Sequence, residues 1–338
     1  MSFNIQEKFA TLHQMIGNTP LAEISLKYKG INTKVYAKVE YYNYTGSIKD
    51  RIALHMLEKA YAKEIIHHGD TICEGTSGNT GIAIAAVGAF LGHKVVIYMP
   101  DWMTDERKHL LKSLGAEVRL ISKEEGGLNA MFGLVKKFAA KGNVFLTEQF
   151  SNQDNVEAHY QTTGREIYKQ LQPLNVIPDA VVAGVGTGGT VVGIASYLKE
   201  KNPALKVFPL EPDNSLALSQ GLANDQHFIY GIGDGFVPEI ASKYPMDEVI
   251  TVNEIDAVLM AQKLSRSLGL GVGISSGANF LGVLKAKELM GMNANVVTVF
   301  ADDNKKYLTS EYAEDFPYKD SYLSKDVTLE GMKIYRSC

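Results

Sequence analysis

Short apolar runs alternate with longer stretches in which apolar residues recur every three to four positions. The runs predict strands over 35–39, 71–74, 94–99, 117–121, 144–146, 180–183, 207–210 and 296–300. The stretches between them predict helices over about 49–66, 78–91, 105–114 and 127–140, and another ending near Leu171. These strands are too uniformly apolar to leave one face wet, so they read as parallel strands with helices on both sides. The expected class is α/β. Sheets of this kind bind ligands beyond the carboxyl ends of their strands, so chemistry is sought in the loops that follow strands.

Composition narrows the classes. A chain of 338 residues suits two domains of ordinary size or one large α/β unit. A net charge of −4 gives no electrostatic reason to expect nucleic acid or an anionic membrane surface as partner. Cys73 and Cys338 stand far apart, without the spacing of a zinc site or a disulfide framework, so a reducing compartment fits and no metal is expected. The N-terminal segment lacks a long apolar run, and no stretch approaches the ~20 apolar residues of a membrane helix. The expectation is a cytoplasmic protein acting on a small molecule.

Three loops carry candidate chemistry. In Tyr42–Arg51, Lys49 falls at the first turn of a helix, where the positive end of the dipole and any burial disfavour its charged form. A lysine of lowered basicity is what a Schiff base requires. A solvated lysine beside the caps Ser47 and Asp50 is the plainer alternative. In Glu74–Gly81, a helix N-terminus is crowded with hydroxyls and an amide, which suits a carboxylate. In Gly184–Thr190, successive glycines let backbone amides approach a phosphate, and Thr187 and Thr190 add hydroxyl donors. That loop also matches G-x-G-x-x-G at Gly184, Gly186 and Gly189, with Glu211 22 residues on, which keeps open an NAD-dependent dehydrogenase.

The ordered set GNTPL, TGSIKDR, TSGNTGIA, ERKHLLKSLGAE, EQFSNQDN, TTGREI, GVGTGGT and GISSGA resembles the cysteine synthase (O-acetylserine sulfhydrylase) family of fold-type II pyridoxal-phosphate enzymes, from about Ile16 to Leu308. The resemblance implies that Lys49 holds pyridoxal 5'-phosphate and later removes the Cα proton. It implies that Asn79 meets the phenolic oxygen of the cofactor, Gly186, Thr187, Gly188, Gly189 and Thr190 its phosphate, and Ser275 its ring nitrogen. Thr76, Ser77, Thr80 and Gln149 would bind the substrate carboxylate. The family usually has Pro where this chain has Gly75, Asn-Pro where it has Asn43-Tyr44, and a small neutral residue where it has Asp234.

The family fold implies one domain over 45–154 that binds substrate and a larger, cofactor-binding one over 1–44 plus 155–310, with the cofactor in the cleft between them. Residues 311–338 would be an extension packed on the body or on a second subunit, and a homodimer is implied. The shared half-reaction would give α-aminoacrylate by β-elimination. The first expectation for the second half is the cysteine (hydroxyl) lyase branch, in which Asp234 activates water and cysteine becomes serine and hydrogen sulfide. The alternatives are cysteine synthesis from O-acetylserine and sulfide, the dehydrogenase, and a catalytically dead binding protein. His159 reads as structural, Cys73 as a small buried hydrophobe, and Glu211 as a cap or buttress of the phosphate region.

Overall fold

A computed structural model describes residues 4–76, 78–222, 224 and 227–336, the side chain of Asn129 excepted. In chain order its strands are β1 (Leu21–Tyr28), β2 (Ile31–Val39), β3 (Thr71–Gly75), β4 (Lys94–Pro100), β5 (Glu117–Ile121), β6 (Val144–Leu146), β7 (Ala180–Gly184), β8 (Lys206–Pro212), β9 (Ile250–Val252), β10 (Val296–Phe300) and β11 (Val327–Tyr335). A four-stranded sheet has the order β5-β4-β3-β6 and is parallel throughout. A seven-stranded sheet has the order β11-β1-β2-β10-β7-β8-β9.

The second sheet corrects the expectation of parallel sheets alone. It is parallel from β2 to β9, but β1 runs antiparallel to both β2 and β11. β1, β9 and β11 had no counterpart among the apolar runs. In β1 the core-facing Ala22, Ile24, Leu26 and Tyr28 alternate with Glu23, Ser25 and Lys27, so no run forms. β11 is an edge strand with only Val327 buried, and backbone pairing to β1 makes it a strand rather than side-chain burial.

The C-terminal tail packs on the body. Tyr312 and Tyr322 are buried, and Asp256 accepts the backbone N–H groups of Leu323 (2.8 Å) and Ser324 (3.1 Å). At the other end, the helix Ile5–Met15 starts in a reciprocal cap between Asn4 and Glu7. It inserts Phe9 and Leu12 into the core that covers the smaller sheet. The helix Asn79–Leu91 is apolar on nearly every side because it lies inside that same core. Among the described residues no helix is long and apolar enough to cross a membrane.

One ionic knot fixes the helix Lys49–Ala62 relative to the larger sheet. Arg51 is buried and binds Glu40 through Nε (2.6 Å) and Nη2 (2.9 Å), and Glu166 through Nη1 (2.7 Å) and Nη2 (2.8 Å). Lys38 on β2 reaches Glu166 at 2.7 Å. The turn Gly17–Thr19 closes over the knot, with the N–H of Asn18 donating to Glu166 and Arg51 donating to the Thr19 hydroxyl. Charges removed from water this completely are tolerable only as a set, because each needs its partner's field and hydrogen bonds.

Removing one member should therefore cost more than the pair contributes. Arg51→Ala is expected to lose about 3–5 kcal/mol in denaturant unfolding, since it strands Glu40 in the interior. Glu166 supplies a pH test. Burial alone would raise its carboxyl, but Arg51 and Lys38 outweigh burial and hold it at about 2. A depressed carboxyl contributes stability above its ordinary value of 4.5 and loses it as the pH falls through about 2. The stability gap between wild type and Glu166→Gln is expected to be full at neutral pH and to close across that acid window. A gap independent of pH would show that Glu166 acts by packing alone.

Candidate active site

Both sheets turn the carboxyl ends of their parallel strands toward one cleft. It is lined by Lys49, Thr76, Asn79, Thr80 and Gln149, and by Gly186, Thr187, Gly188, Thr190, Asp234 and Ser275. Of the residues singled out in the sequence, Gly189 is buried behind this lining, and Ser77 lies outside the described residues.

Lys49 opens its helix at the rim of the cleft. Ser47 Oγ accepts the N–H of Lys49 (3.3 Å), as the alternative reading had it, but Asp50 does not complete a reciprocal box. Instead Asp50 turns back onto Thr45, accepting its N–H (2.8 Å) and hydroxyl (2.6 Å), and Ile48 donates its N–H to Ala301 beyond β10. The lysine is thereby pinned to the end of the central strand. Its basicity is lowered because the site is desolvated, while Asp234 and Asp302 pull the other way.

The loop after β3 and the loop after β6 meet across the cleft. Thr80 donates to Gln149 Oε1 at 2.6 Å, and Thr76 Oγ1 accepts the N–H of Gly78. Beneath them the buried carboxyl of Glu74 gathers the N–H groups of Gly75 and Gln149 and the hydroxyl of Thr147. Burial pushes that carboxyl up to about 7 despite those donors. Asn155 links this side to the glycine loop, donating to the Gln149 carbonyl (2.8 Å) and the Thr187 hydroxyl (3.0 Å).

The glycine loop leads into the helix Gly189–Lys201, where the N–H of Gly189 donates to Thr187 Oγ1 (3.3 Å) and a helix start of this kind suits an anion. No side chain fits there. A Cβ on Gly186 would stand 2.2 Å from the Gly231 carbonyl oxygen, and one on Gly189 would stand 1.9 Å from Asn155 Oδ1. Behind the loop His159 joins Thr163 (2.9 Å) to Thr190 (3.2 Å). Burial pushes its imidazole well below the ordinary range, so the bridge is neutral. Asp234 lies between Gly233 (φ +69°) and Gly235 (φ +77°), and His227 holds the Gly233 carbonyl at 2.8 Å.

Several residues here were not anticipated. Asp302, Lys306 and Tyr307 form one cluster: Asn79 donates to Asp302 (2.8 Å) and accepts from Lys306 (3.0 Å), and Tyr307 donates to Asp302 (2.6 Å). They follow β10 closely, and strand-end position was the signal available for them. His159 proves to buttress Thr190. Glu211 does not buttress the phosphate region; it caps the turn Ala217–Gln220 through the N–H groups of Leu218 and Ser219. Cys73 is buried as expected, with its thiol pushed up to about 12.

A family model for pyridoxal-phosphate dependent enzymes matches residues 12–302. A cysteine synthase of Staphylococcus aureus is 40% identical over 309 residues, covering 90% of this chain and 97% of the relative. Among solved structures, a hydrogen sulfide-producing enzyme from Fusobacterium nucleatum is 48% identical, with a TM-score of 0.96 over 98% of this chain and 100% of that one. An Asp-to-Asn variant of that enzyme, in complex with an α-aminoacrylate intermediate, is 47% identical with the same TM-score and coverage.

The crowding at Gly186 gives a direct test of the loop. A methyl there must displace a backbone carbonyl, which costs on the order of 1–3 kcal/mol. Gly186→Ala is expected to release pyridoxal phosphate at least about tenfold more readily in dialysis followed by absorbance, at that cost. Retention equal to wild type would show that the phosphate lies elsewhere.

Proposed function

Because this chain belongs to the pyridoxal-phosphate dependent enzymes, in the cysteine synthase family, and carries out β-replacement or β-elimination on a cysteine-type amino acid, we propose that its reaction is L-cysteine plus water giving L-serine and hydrogen sulfide. The observation that carries this reading is the carboxylate of Asp234, set in the lining of the same cleft as Lys49, where it offsets part of the desolvation that lowers the lysine's basicity.

The cleft suits the cofactor. The concavity of Gly186–Thr190 excludes side chains and offers N–H and hydroxyl donors, as a phosphate requires. Pyridoxal phosphate, when bound, supplies an electron sink that acidifies the Cα–H bond of an amino acid. In this reading Lys49 holds the cofactor and then takes the Cα proton, a task suited to an amine of lowered basicity. Ser275, at the N-terminus of the helix Ile274–Met290, meets the ring nitrogen without a charge. An uncharged partner makes a weaker sink, which favours prompt loss of the β-substituent. Thr76, Thr80 and Gln149 orient the substrate carboxylate, and Asn79 the phenolic oxygen.

Asp234 then separates the two possible second halves. A carboxylate repels an incoming hydrosulfide in a partly desolvated cleft. Water is a weak nucleophile and gains from a base that takes its proton. The Fusobacterium neighbour is a hydrogen sulfide-producing enzyme, and an α-aminoacrylate intermediate accompanies its Asp-to-Asn variant. Both facts agree with an aspartate that consumes this species. The cysteine synthase relatives favour the second reading, synthesis of cysteine from O-acetylserine and sulfide.

Asp234→Asn decides between them. With cysteine as substrate, the variant is expected to accumulate the unsaturated intermediate by absorbance, while serine release falls by ~10²–10⁴-fold. Serine formed at the wild-type rate would reduce Asp234 to a turn residue. A wild-type protein that makes no serine from cysteine would leave the biosynthetic reading standing.

A further inference from the structure

Two arginines in this protein are equally buried, each 2% exposed, and are treated in opposite ways. Arg51 spends its guanidinium on Glu40, Glu166 and Thr19. Arg107, on the helix Asp105–Ser113, forms no ion pair with a carboxylate among the described residues, and its Nε and Nη1 have no hydrogen-bond partner there. It lies instead against two rings, 4.7 Å from the centroid of Tyr230 and 5.0 Å from that of Tyr307. The rings are themselves tethered, Tyr230 to Glu311 (3.2 Å) and Tyr307 to Asp302 (2.6 Å). Arg107 also lines the cleft that holds Lys49 and Asp234.

Ring faces attract a cation but accept no strong hydrogen bond, so this arrangement, with one side-chain hydrogen bond to Tyr307, holds the guanidinium in place while leaving Nε and Nη1 unused. A buried cation with idle donors is costly, and the cost is recovered when an anion arrives. Gly78 keeps the approach open, since a Cβ there would stand 2.9 Å from Arg107 Nε.

We propose that Arg107 is a binding site for anionic sulfur at the β-position, taking the hydrosulfide ion as it leaves or enters. In the leaving direction the Cα–H bond breaks and its proton passes to Lys49. The electron pair forms the Cα=Cβ bond, and the Cβ–S bond breaks with its pair going to sulfur. The departing HS⁻ then pairs with the guanidinium, opposite in charge to the Asp234 carboxylate that would repel it. This rests on the proposed chemistry only in that sulfur departs or arrives as an anion; it is indifferent to whether water follows.

The test uses holoenzyme, β-chloro-L-alanine to generate the unsaturated intermediate, and titrated sodium sulfide to discharge its absorbance. Arg107→Gln is expected to raise the sulfide concentration for half-maximal discharge at least about tenfold, as loss of a charge-assisted hydrogen bond implies. Binding of L-alanine, read from the shift in cofactor absorbance, should change by less than about twofold, because its carboxylate meets other residues. Arg107→Lys, which keeps a cation between the rings but not the fork, is the second variant and is expected to weaken sulfide by about threefold or more. Sulfide discharge unchanged in Arg107→Gln, or in Arg107→Lys should only that variant fold, overturns the proposal. So does an equal loss of L-alanine binding, which would make Arg107 a carboxylate or structural residue. If sulfide capture depends on Arg107 while wild type makes no serine from cysteine, the hydrolytic reading falls and this site remains.

Discussion

The carboxylate of Asp302 is the point on which the cleft depends. It stands just beyond β10, which pairs with β2 and β7 inside the larger sheet, and it is 1% exposed. From there it accepts Asn79 of the smaller sheet's first loop and Tyr307 of its own turn, with Lys306 at 3.9 Å. Its backbone bridges to Ser47, two residues before Lys49. Loops from both sheets thus meet on one buried charge. A charge without water must keep its hydrogen bonds, so any of these loops moving away would leave it unpaid in the interior. These contacts all converge on Oδ2.

The same logic explains why glycines concentrate around the cleft. Gly273 leaves room for Asp302, because a Cβ would come within 2.1 Å of its Oδ1. Gly186 lets the glycine loop lie against Gly231, and Gly189 lets it lie against Asn155. These are close approaches of backbone to backbone or to a fixed polar atom, and they are rigid. Asp234 is held differently, between two left-handed glycines, where the chain can turn sharply and present one side chain. The cleft therefore combines a closely packed glycine loop with a tightly turned loop that carries a carboxylate.

Charge is handled in three ways in this molecule. Arg51 lies in a closed ionic knot that sets the entry of the Lys49 helix. Asp302 is held through its Oδ2 by neutral donors from separate loops, while its Oδ1 has no hydrogen-bond partner among the described residues. Arg107 is held by ring faces, with donors to spare. The first two are the patterns of structural groups. The third is a preorganised cation, already placed before any ligand contributes its own charge.

Much of this was legible along the chain. The uniformly apolar runs located eight strands because a parallel strand buried on both faces must be apolar at every position. β2 begins four residues before its apolar run, and β1 and β11 were hidden because they sit toward the antiparallel edge, where one face or both can be polar. Lys49, Asn79, Thr80 and the glycine loop stood out because each lies in a loop whose local composition is odd, with too many hydroxyls, amides or glycines for a plain turn, whereas Gln149 and Ser275 were named only through the family resemblance. Asp302 and Tyr307 did not stand out, because their neighbours in sequence are ordinary and their partners are distant, and His159 was read as structural without its partner being visible. The bond from Asn79 to Asp302 spans 223 positions, and that from His159 to Thr190 crosses from one helix to another. Arg107 lay in view within ERKHLLKSLGAE, yet its sequence context is that of any amphipathic helix. Local sequence determines what a segment is made of and which way it folds. Only the packed chain decides which charges share a cavity and which donors are left without a partner.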